Sequence, residues 1–228
     1  MNYASFLELV KTRRSIHKFK PDPIPDEYVD KIIEAARWAP SGAYSQPWEF
    51  IVIKKKALRD KILEIFKEQH ARMARMELIR EPELRFNLHH TKPPSFLNAP
   101  VFIIPYGDPR LKEAFPVDVR MTRADAIFVS SLANTFLYMI LAAVALGLGA
   151  QLVSAITHPY PQALIKELLG VPRELEMYDM MAVGYPDIKP KPRLVRAKEE
   201  IVHYEHYNKA KFRTDQQIKD FVVSLRRS

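Results

Sequence analysis

The sequence predicts a fold in which layers of helices pack on a mixed β-sheet. Amphipathic stretches with a helical period alternate with short apolar runs, in the order helix, helix, strand, helix, strand, helix, strand, helix, strand. The chain has 228 residues, of which 47% are hydrophobic, and this is enough for one domain with a sizeable core.

Two helices joined by an extended segment are predicted at the N-terminal end. Residues 3–12 gather their apolar side chains on one side and lead into the basic segment Arg13-Arg14-Ser15. The prolines within residues 21–25 fix φ and remove donors, so this segment is predicted to be extended. Asp26 is predicted as the N-cap of the second helix. The core face of that helix is Val29, Ile32, Ile33 and Ala36.

A compact turn follows between Pro40 and Pro47. It contains short polar side chains with free donors and acceptors, and Gly42, to which we assign a positive φ. These polar residues are Ser41, Ser45 and Gln46. Loops held between rigid elements often carry functional sites, although a proline-stiffened connector with capping serines would have the same composition.

Residues 50–53 and 101–104 are apolar runs and are predicted to be strands buried on both faces. Between them, residues 58–79 have the pattern of a long, charged amphipathic helix. Residues 80–98 show no period, and we interpret them as a mobile lid or arm with a solvated His89-His90 pair.

Residues 126–156 contain no charged side chain, which raises the question of a membrane span. Several polar side chains and two glycines argue against one, so residues 125–146 are predicted to form a central helix that is buried all round. These are Ser130, Ser131, Asn134, Thr135, Gln151, Gly147 and Gly149.

The remaining elements are short. Residues 151–155 and 180–183 are predicted strands, and residues 161–169 a helix with Gly170 past its end. In the tail, residues 201–204 have the pattern of a strand. Thr214, with Gln217 three positions on, is predicted to form a capping box for a last helix.

Composition excludes several kinds of chemistry. The chain has no cysteine, so disulfides, Cys-ligated zinc, iron–sulfur clusters and thiol chemistry are excluded, and any redox function needs a bound cofactor. The net charge of +8 is scattered, so no nucleic-acid partner is predicted. His203 and His206 lack a third ligand at typical spacing, so no metal is predicted. The N-terminus lacks a signal-peptide pattern, so no membrane partner and a cytoplasmic location are expected.

Five motifs occur in a defined order along residues 3–204. They are Arg13-Arg14-Ser15-Ile16-His17, Pro40-Ser41-Gly42-Ala43-Tyr44-Ser45-Gln46-Pro47-Trp48, Ala145-Leu146-Gly147-Leu148-Gly149, Ala182-Val183-Gly184-Tyr185-Pro186 and Lys191-Pro192-Arg193-Leu194-Val195-Arg196. In order and spacing they resemble the nitroreductase family of FMN-dependent oxidoreductases. The resemblance implies an α+β, three-layer sandwich with helices around a mixed, mostly antiparallel sheet. It also implies an intertwined homodimer with FMN in the interface.

The resemblance implies a division of the chain and a set of FMN contacts. Residues 1–198 would form the FMN-binding domain, and residues 199–228 an extension that packs on the partner subunit. Arg13, Arg14 and Ser15, with Arg193 and Arg196, would hold the phosphate, because guanidinium groups match phosphate oxygens. Residues Ser41, Gly42, Tyr44, Ser45 and Gln46 would line the ribityl chain and pyrimidine edge. Leu152, Val153 and Ser154 would present backbone N–H groups to flavin N5 and O4, and His17 would face N1 and O2.

Three departures from the family pattern bear on the substrate. His17 replaces the usual Arg or Lys, and Tyr44 replaces an Asn common in bacterial nitroreductases. The Pro-Ser-Gly-Ala-Tyr-Ser turn resembles the branch of iodotyrosine deiodinases and flavin destructases. That branch uses a Glu, Tyr and Lys in its lid, and residues 70–98 do not present this trio at matching places, Lys92 being the nearest candidate.

The leading hypothesis is an FMN-dependent oxidoreductase that passes electrons from NAD(P)H to a small organic acceptor by a ping-pong mechanism. The alternatives are a flavin-dependent reductive dehalogenase or flavin-remodelling enzyme. From another class come a non-catalytic flavin-binding protein and a basic nucleic-acid-binding protein.

Overall fold

Residues 2–86, 88, 94–190 and 193–227 are described by a computed structural model. The helices are α1 (Tyr3–Thr12), α2 (Asp26–Arg37), α3 (Lys56–Met76), α4 (Val117–Thr122), α5 (Ala124–Ala145), α6 (Pro159–Leu169), α7 (Lys198–Ile201) and α8 (Asp215–Arg227). The strands are β1 (Trp48–Ile53), β2 (Val101–Gly107), β3 (Gly149–Val153), β4 (Glu176–Met177) and β5 (Met180–Gly184). The chain forms two compact units, Met1–Gln69 with Pro93–Pro190 and His70–Lys92 with Lys191–Ser228.

The first unit contains the sheet, in the order β1-β2-β5-β3, with β4 pairing alongside β2. Each pair of strands in the described residues is antiparallel. The one parallel pairing there is an isolated bridge between Ser15 and Ala150 at the outer edge of β3. The predicted mixed, mostly antiparallel sheet is therefore confirmed.

Helices cover both faces of this sheet, which confirms the α+β fold with three layers. On one face, α2 and α5 pack against β2, β3 and β5. The buried side chains there include Val29, Ile32, Ala36, Phe136, Met139, Ala143, Val101, Ile103, Met181 and Val183. On the other face, α6 and residues 56–69 of α3 pack against the alternate strand residues, because successive side chains of a strand point to opposite faces. That second core includes Ile62, Leu63, Ile165, Phe102, Ile104, Tyr106, Met180 and Ala182.

Two predicted burial patterns were wrong. β1 is an edge strand, and its central residues are only half-buried or exposed, so it is not covered on both faces. α5 is not buried all round: one side packs in the core, while Val129, Leu137 and Tyr138 are exposed. In length and composition α5 would suit a membrane span, with a mean hydropathy of 1.9, as the core helix of a soluble protein also can.

Most of the helix ends that were predicted from local sequence signals are correct. Gly170 ends α6 in the left-handed conformation, with φ 67°, as predicted. Asp26 is not an N-cap: Pro25 takes that position, without a side-chain hydrogen bond, and Asp26 is the first helical residue. A carboxylate in the first turn still interacts favourably with the helix dipole.

The second unit contains α7, α8 and the short 3₁₀ turn Pro82–Leu84. The predicted capping box is confirmed, since Gln217 N donates to Thr214 Oγ1 at 3.3 Å and Thr214 N donates to Gln217 Oε1 at 2.9 Å. Lys219 of α8 pairs with Glu81 at 2.7 Å and with Glu83 at 3.2 Å.

The strand predicted at residues 201–204 was wrong, because α7 runs through Lys198–Ile201 and no strand follows in the described tail. The predicted domain boundary at residue 198 stays a prediction. Of the predicted lid, His89, His90 and Lys92 lie outside the described residues.

Candidate functional site

The basic segment after α1 lies along the outer edge of β3. Ser15 bridges Ala150, and Ile16 N donates to Ala150 O at 3.0 Å. Gly149 allows this approach, because an added Cβ would lie 2.5 Å from Ile16 Cγ1. The segment continues past the end of β5, where Lys18 pairs with Asp187 at 2.9 Å. The structure therefore brings the first motif to Gly149 and Ala150, at the start of β3, ahead of the predicted contacts Leu152, Val153 and Ser154.

The side chains of this segment differ in what they can bind. Ser15 and His17 are exposed and Arg13 is half-buried. The Arg14 guanidinium donates to the carbonyls of Lys11 and Arg13, so it closes the end of α1. Desolvation by the groups around the imidazole lowers the pKa of His17 below its usual value.

The edge of β3 is open beyond this bridge. In the part of the chain that the structure describes, β3 is the last strand of the sheet, and no strand pairs with its outer side after Ala150. Leu152 is 40% exposed and Ser154 is exposed, whereas Val153 is buried. An open strand edge offers backbone N–H donors to a ligand.

The predicted turn has an unusual backbone. Ala43, Tyr44 and Gln46 have φ of 49°, 53° and 43°, in the left-handed region that non-glycine residues rarely adopt. The positive φ assigned to Gly42 was wrong. Gly42 is required by close packing instead, because an added Cβ would lie 2.2 Å from Ile127 Cγ2.

Three polar side chains of α5 reach this turn and the end of α2, and sequence reasoning missed their role. Ser131 Oγ accepts from Gly42 N at 3.2 Å, and Asn134 Nδ2 donates to Pro40 O at 3.1 Å. Thr135 Oγ1 donates to Ala36 O at 2.8 Å. The sequence does contain a signal for this role, because the three polar residues recur at helical spacing inside an uncharged helix. The sequence analysis used them only as an argument against a membrane span.

A cleft of about 620 Å³ opens at the turn. It is lined by Arg37, Trp38, Ala39, Pro40, Ser41, Tyr44 and Gln46. Trp38 donates through Nε1 to Glu34 at 2.9 Å, which fixes its exposed ring. Tyr44 is 91% exposed. The aromatic wall suits a flat ligand, and Arg37 beside it is paired with Glu34.

The turn and the first motif lie at diagonally opposite corners of the sheet. Ala150 pairs with Val183, which in turn pairs with Val101, so Ala150 and Val101 lie at the same height along the strands. Trp48, next to the turn, pairs with Gly107 at the other end of β2. Six residues of strand separate these levels by about 20 Å, and the three strand spacings from β3 to β1 add about 14 Å across the sheet. The two groups of one chain are therefore too far apart to contact the same edge of one flavin ring.

Asp179 is a second residue that sequence reasoning missed. It directly precedes β5, and because Val153 pairs with Met180, it lies next to Ser154. Its Oδ1 is buried and has no hydrogen-bond partner among the residues that the structure describes. Burial raises the pKa of Asp179 to about 6, against the opposing effect of the Ser154 side chain. The sequence feature that could have identified Asp179 is a single carboxylate directly before an apolar strand.

The late arginines lie in the second unit. Arg196 pairs with Glu200 at 3.3 Å. His203 Nδ1 accepts from Asn208 N at 3.2 Å, and its ring stacks on Tyr207. Among the residues that the structure describes, no group of three or more His, Asp or Glu side chains is placed to hold a metal.

The chain is similar to known proteins over most of its length. It is 27% identical over 180 residues to an Archaeoglobus fulgidus protein with the provisional name NADH dehydrogenase/NAD(P)H nitroreductase, covering 79% of this chain and 84% of that one. It is 29% identical over 202 residues to iodotyrosine deiodinase 1 of Rattus norvegicus, covering 82% of this chain but only 64% of the rat protein.

Solved structures share the fold. A nitroreductase with bound FMN from Bacteroides fragilis superposes with a TM-score of 0.66 at 22% identity, covering 90% of this chain and 100% of that one. Nitroreductase CinD of Lactococcus lactis, in complex with 4-nitrophenol, gives a TM-score of 0.71 at 15% identity, covering 88% of this chain and 100% of that one. Residues 10–185 match the profile of the Nitroreductase family, and the chain belongs to that family of oxidoreductases.

Proposed function

We propose that this protein is an FMN-dependent oxidoreductase that uses NAD(P)H and a small organic acceptor in alternating half-reactions. When bound, FMN takes reducing equivalents from the nicotinamide and passes them to the acceptor. The observation that carries the proposal is the pairing of Ser15 with Ala150, which sets a hydroxyl and an arginine beside an open strand edge.

The donor set at this edge suits FMN. Arg13 and Ser15 bind the phosphate, as guanidinium and hydroxyl donors do. The backbone N–H groups of Leu152 and Ser154 are proposed to donate to the flavin ring, where fixed donors stabilise the charge of the reduced form, whereas Val153 pairs with Met180 of β5. His17, whose imidazole can donate a hydrogen bond, is proposed to face the flavin where the family pattern has a permanent cation.

The second group of predicted residues requires a second copy of the chain. The turn with Ser41, Gly42, Tyr44, Ser45 and Gln46 lies at the far corner of the sheet from Ser15. A homodimer formed through the exposed apolar side of α5 would bring the turn of one copy to the first motif of the other. We propose that each FMN is held by both subunits, and that residues 199–228 pack on the partner.

A spectrum of the purified full chain with added FMN tests the proposal. We expect stoichiometric flavin binding and bleaching of the flavin absorbance by NADH or NADPH under anaerobic conditions. Arg13→Ala should weaken FMN binding about 10- to 150-fold, since a hydrogen bond to a charged group contributes about 1.5–3 kcal/mol. Arg110→Ala, which removes a surface arginine paired with Asp108, is the control. A protein that binds no FMN would rule the proposal out.

A second candidate is reductive dehalogenation, favoured by the exposed Tyr44 in the turn and by the similarity to iodotyrosine deiodinase 1. The two functions differ in their acceptors. Halide release from a halotyrosine by the reduced protein, faster than reduction of a nitroaromatic compound, would favour the second candidate.

A further inference from the structure

The turn between Pro40 and Pro47 holds an unfavourable backbone conformation. Ala43, Tyr44 and Gln46 each adopt a positive φ without being glycine, and each such residue costs about 1–2 kcal/mol. Within the turn, the compensating bonds are few: Tyr44 N donates to Ser41 O at 3.3 Å, Ser45 N to Gly42 O at 3.0 Å, and Gln46 N to Ser41 Oγ at 3.0 Å.

External support comes from one side of α5. Ser131 is 1% exposed, and its Oγ accepts from Gly42 N while donating to Ile127 O at 2.8 Å. Asn134 donates to Pro40 O, at the start of the turn. Thr135, which is fully buried, donates to Ala36 O and so fixes the end of α2, from which the turn departs. These three bonds anchor the turn and the helix end before it.

We infer that Ser131, Asn134 and Thr135, the polar row of α5, are positioning residues that hold the 40–46 turn in the conformation with which it contacts the flavin. The inference rests on the proposed function for what the turn binds. Without the polar row, the strained residues relax towards negative φ, and Ser41, Ser45 and Gln46 lose their placement. The row itself lies beneath the turn and acts through it.

Two measurements test this, one of which does not depend on flavin. Chymotrypsin cleaves after exposed aromatic residues in flexible backbone, so cleavage after Tyr44, identified by mass spectrometry, reports relaxation of the turn. Cleavage after Phe212, which is exposed in the second unit, serves as the internal reference. The equilibrium dissociation constant of FMN is measured on the same full-length proteins.

Matched variants separate positioning from general stability. Ser131→Ala removes the bond to the turn, whereas Ser130→Ala removes a neighbouring hydroxyl that donates to Ile127 O within the same helix. Thr135→Val removes the bond to Ala36, and Thr135→Ser restores it. If Thr135→Val does not fold, Ser131→Ala and Asn134→Ala carry the test.

We expect Ser131→Ala, Asn134→Ala and Thr135→Val to raise cleavage after Tyr44 severalfold relative to Phe212. They should weaken FMN binding about tenfold, the effect of one lost hydrogen bond. Ser130→Ala and Thr135→Ser should match the unmodified chain. Unchanged cleavage would overturn the inference, as would faster cleavage with unchanged FMN affinity. If the unmodified chain binds no FMN, the proposed function fails, while the cleavage result still shows whether the row holds the turn.

Discussion

Gly42 has no space for a side chain, because an added Cβ would lie 2.2 Å from Ile127 Cγ2 and 2.9 Å from Phe115 Cε1. We therefore expect Gly42→Ala to lower the free energy of unfolding by about 1–3 kcal/mol, as overpacking does. Ala43→Gly is the matched control. This substitution relieves a positive φ but makes the unfolded chain more flexible. The variant's free energy of unfolding should therefore stay within about 1 kcal/mol of that of the unmodified protein. Urea unfolding measures the free energy of unfolding of both variants. Equal destabilisation by the two would contradict the view that close packing requires a glycine at position 42.

Asp179 gives the protein a defined dependence of stability on pH. Burial raises its pKa from 3.8 to about 6, so between these values the folded chain binds more protons than the unfolded chain. The stability contributed by the protonated carboxyl is present below about pH 4 and is lost as the pH rises through about 6. At pH 8 the ionised carboxylate costs up to about 3 kcal/mol.

Asp179→Asn should remove this cost, because the amide is neutral at every pH. We expect the variant to be more stable than the unmodified chain at pH 8 by about 1–3 kcal/mol, and no more stable at pH 4. Urea unfolding at the two pH values gives the comparison. A difference in stability that is the same at both would show that the carboxyl does not titrate as described.

At the scale of elements, the ends of helices were predictable from local chemistry, whereas burial was not. Thr214, Gln217 and Gly170 act within one helical turn, so the sequence contains the whole interaction. The exposure of one side of α5 and the edge position of β1 depend on which elements lie beside them. The neighbours of each element are set by the strand order β1-β2-β5-β3, and the hydrophobic periodicity of the sequence does not determine that order.

The capping box of α8 allows a quantitative test. Thr214→Ala should destabilise the helix by about 1 kcal/mol, because the backbone N–H of Gln217 loses its acceptor. Ser224→Ala, which removes a hydroxyl bonded to Phe221 O inside the same helix, should be close to neutral. Amide hydrogen exchange over the first turn of α8 measures the difference. Equal protection in the two variants would contradict the assignment.

For the whole molecule, the exposed side of α5 predicts the oligomeric state. Val129 is 50% and Leu137 is 47% exposed on α5, whose residues 126–145 carry no charge. Leu137→Arg should convert a dimer into monomers and weaken FMN binding with it, since a buried, unpaired charge at an interface is strongly unfavourable. Tyr160→Arg, on α6 in the other helix layer, is the control. Sedimentation that shows a dimer in both variants would exclude this interface.

The sequence predicted the layers of the fold, but not where the predicted site residues lie relative to one another. Arg13 and Ser15 were predicted as phosphate ligands from residue type and motif order, and this stays a prediction. Their distance from Ser41 follows from strand register, in which Val183 lies opposite Ala150 and Gly107 opposite Trp48. Asp179 and Thr135 were missed for the same reason, since their partners are distant in sequence.

The diagonal separation of the two motifs has a consequence for mixtures of defective chains. If one chain carries Arg13→Ala and another carries Gly42→Ala, each homodimer has two impaired sites. In a mixed dimer, one site would combine both lesions and the other would have neither, so two proteins with impaired FMN sites would complement each other. Mixed dimers isolated with two different affinity tags should hold one tightly bound FMN each. If both motifs served the same chain's site, the mixed dimer would hold none.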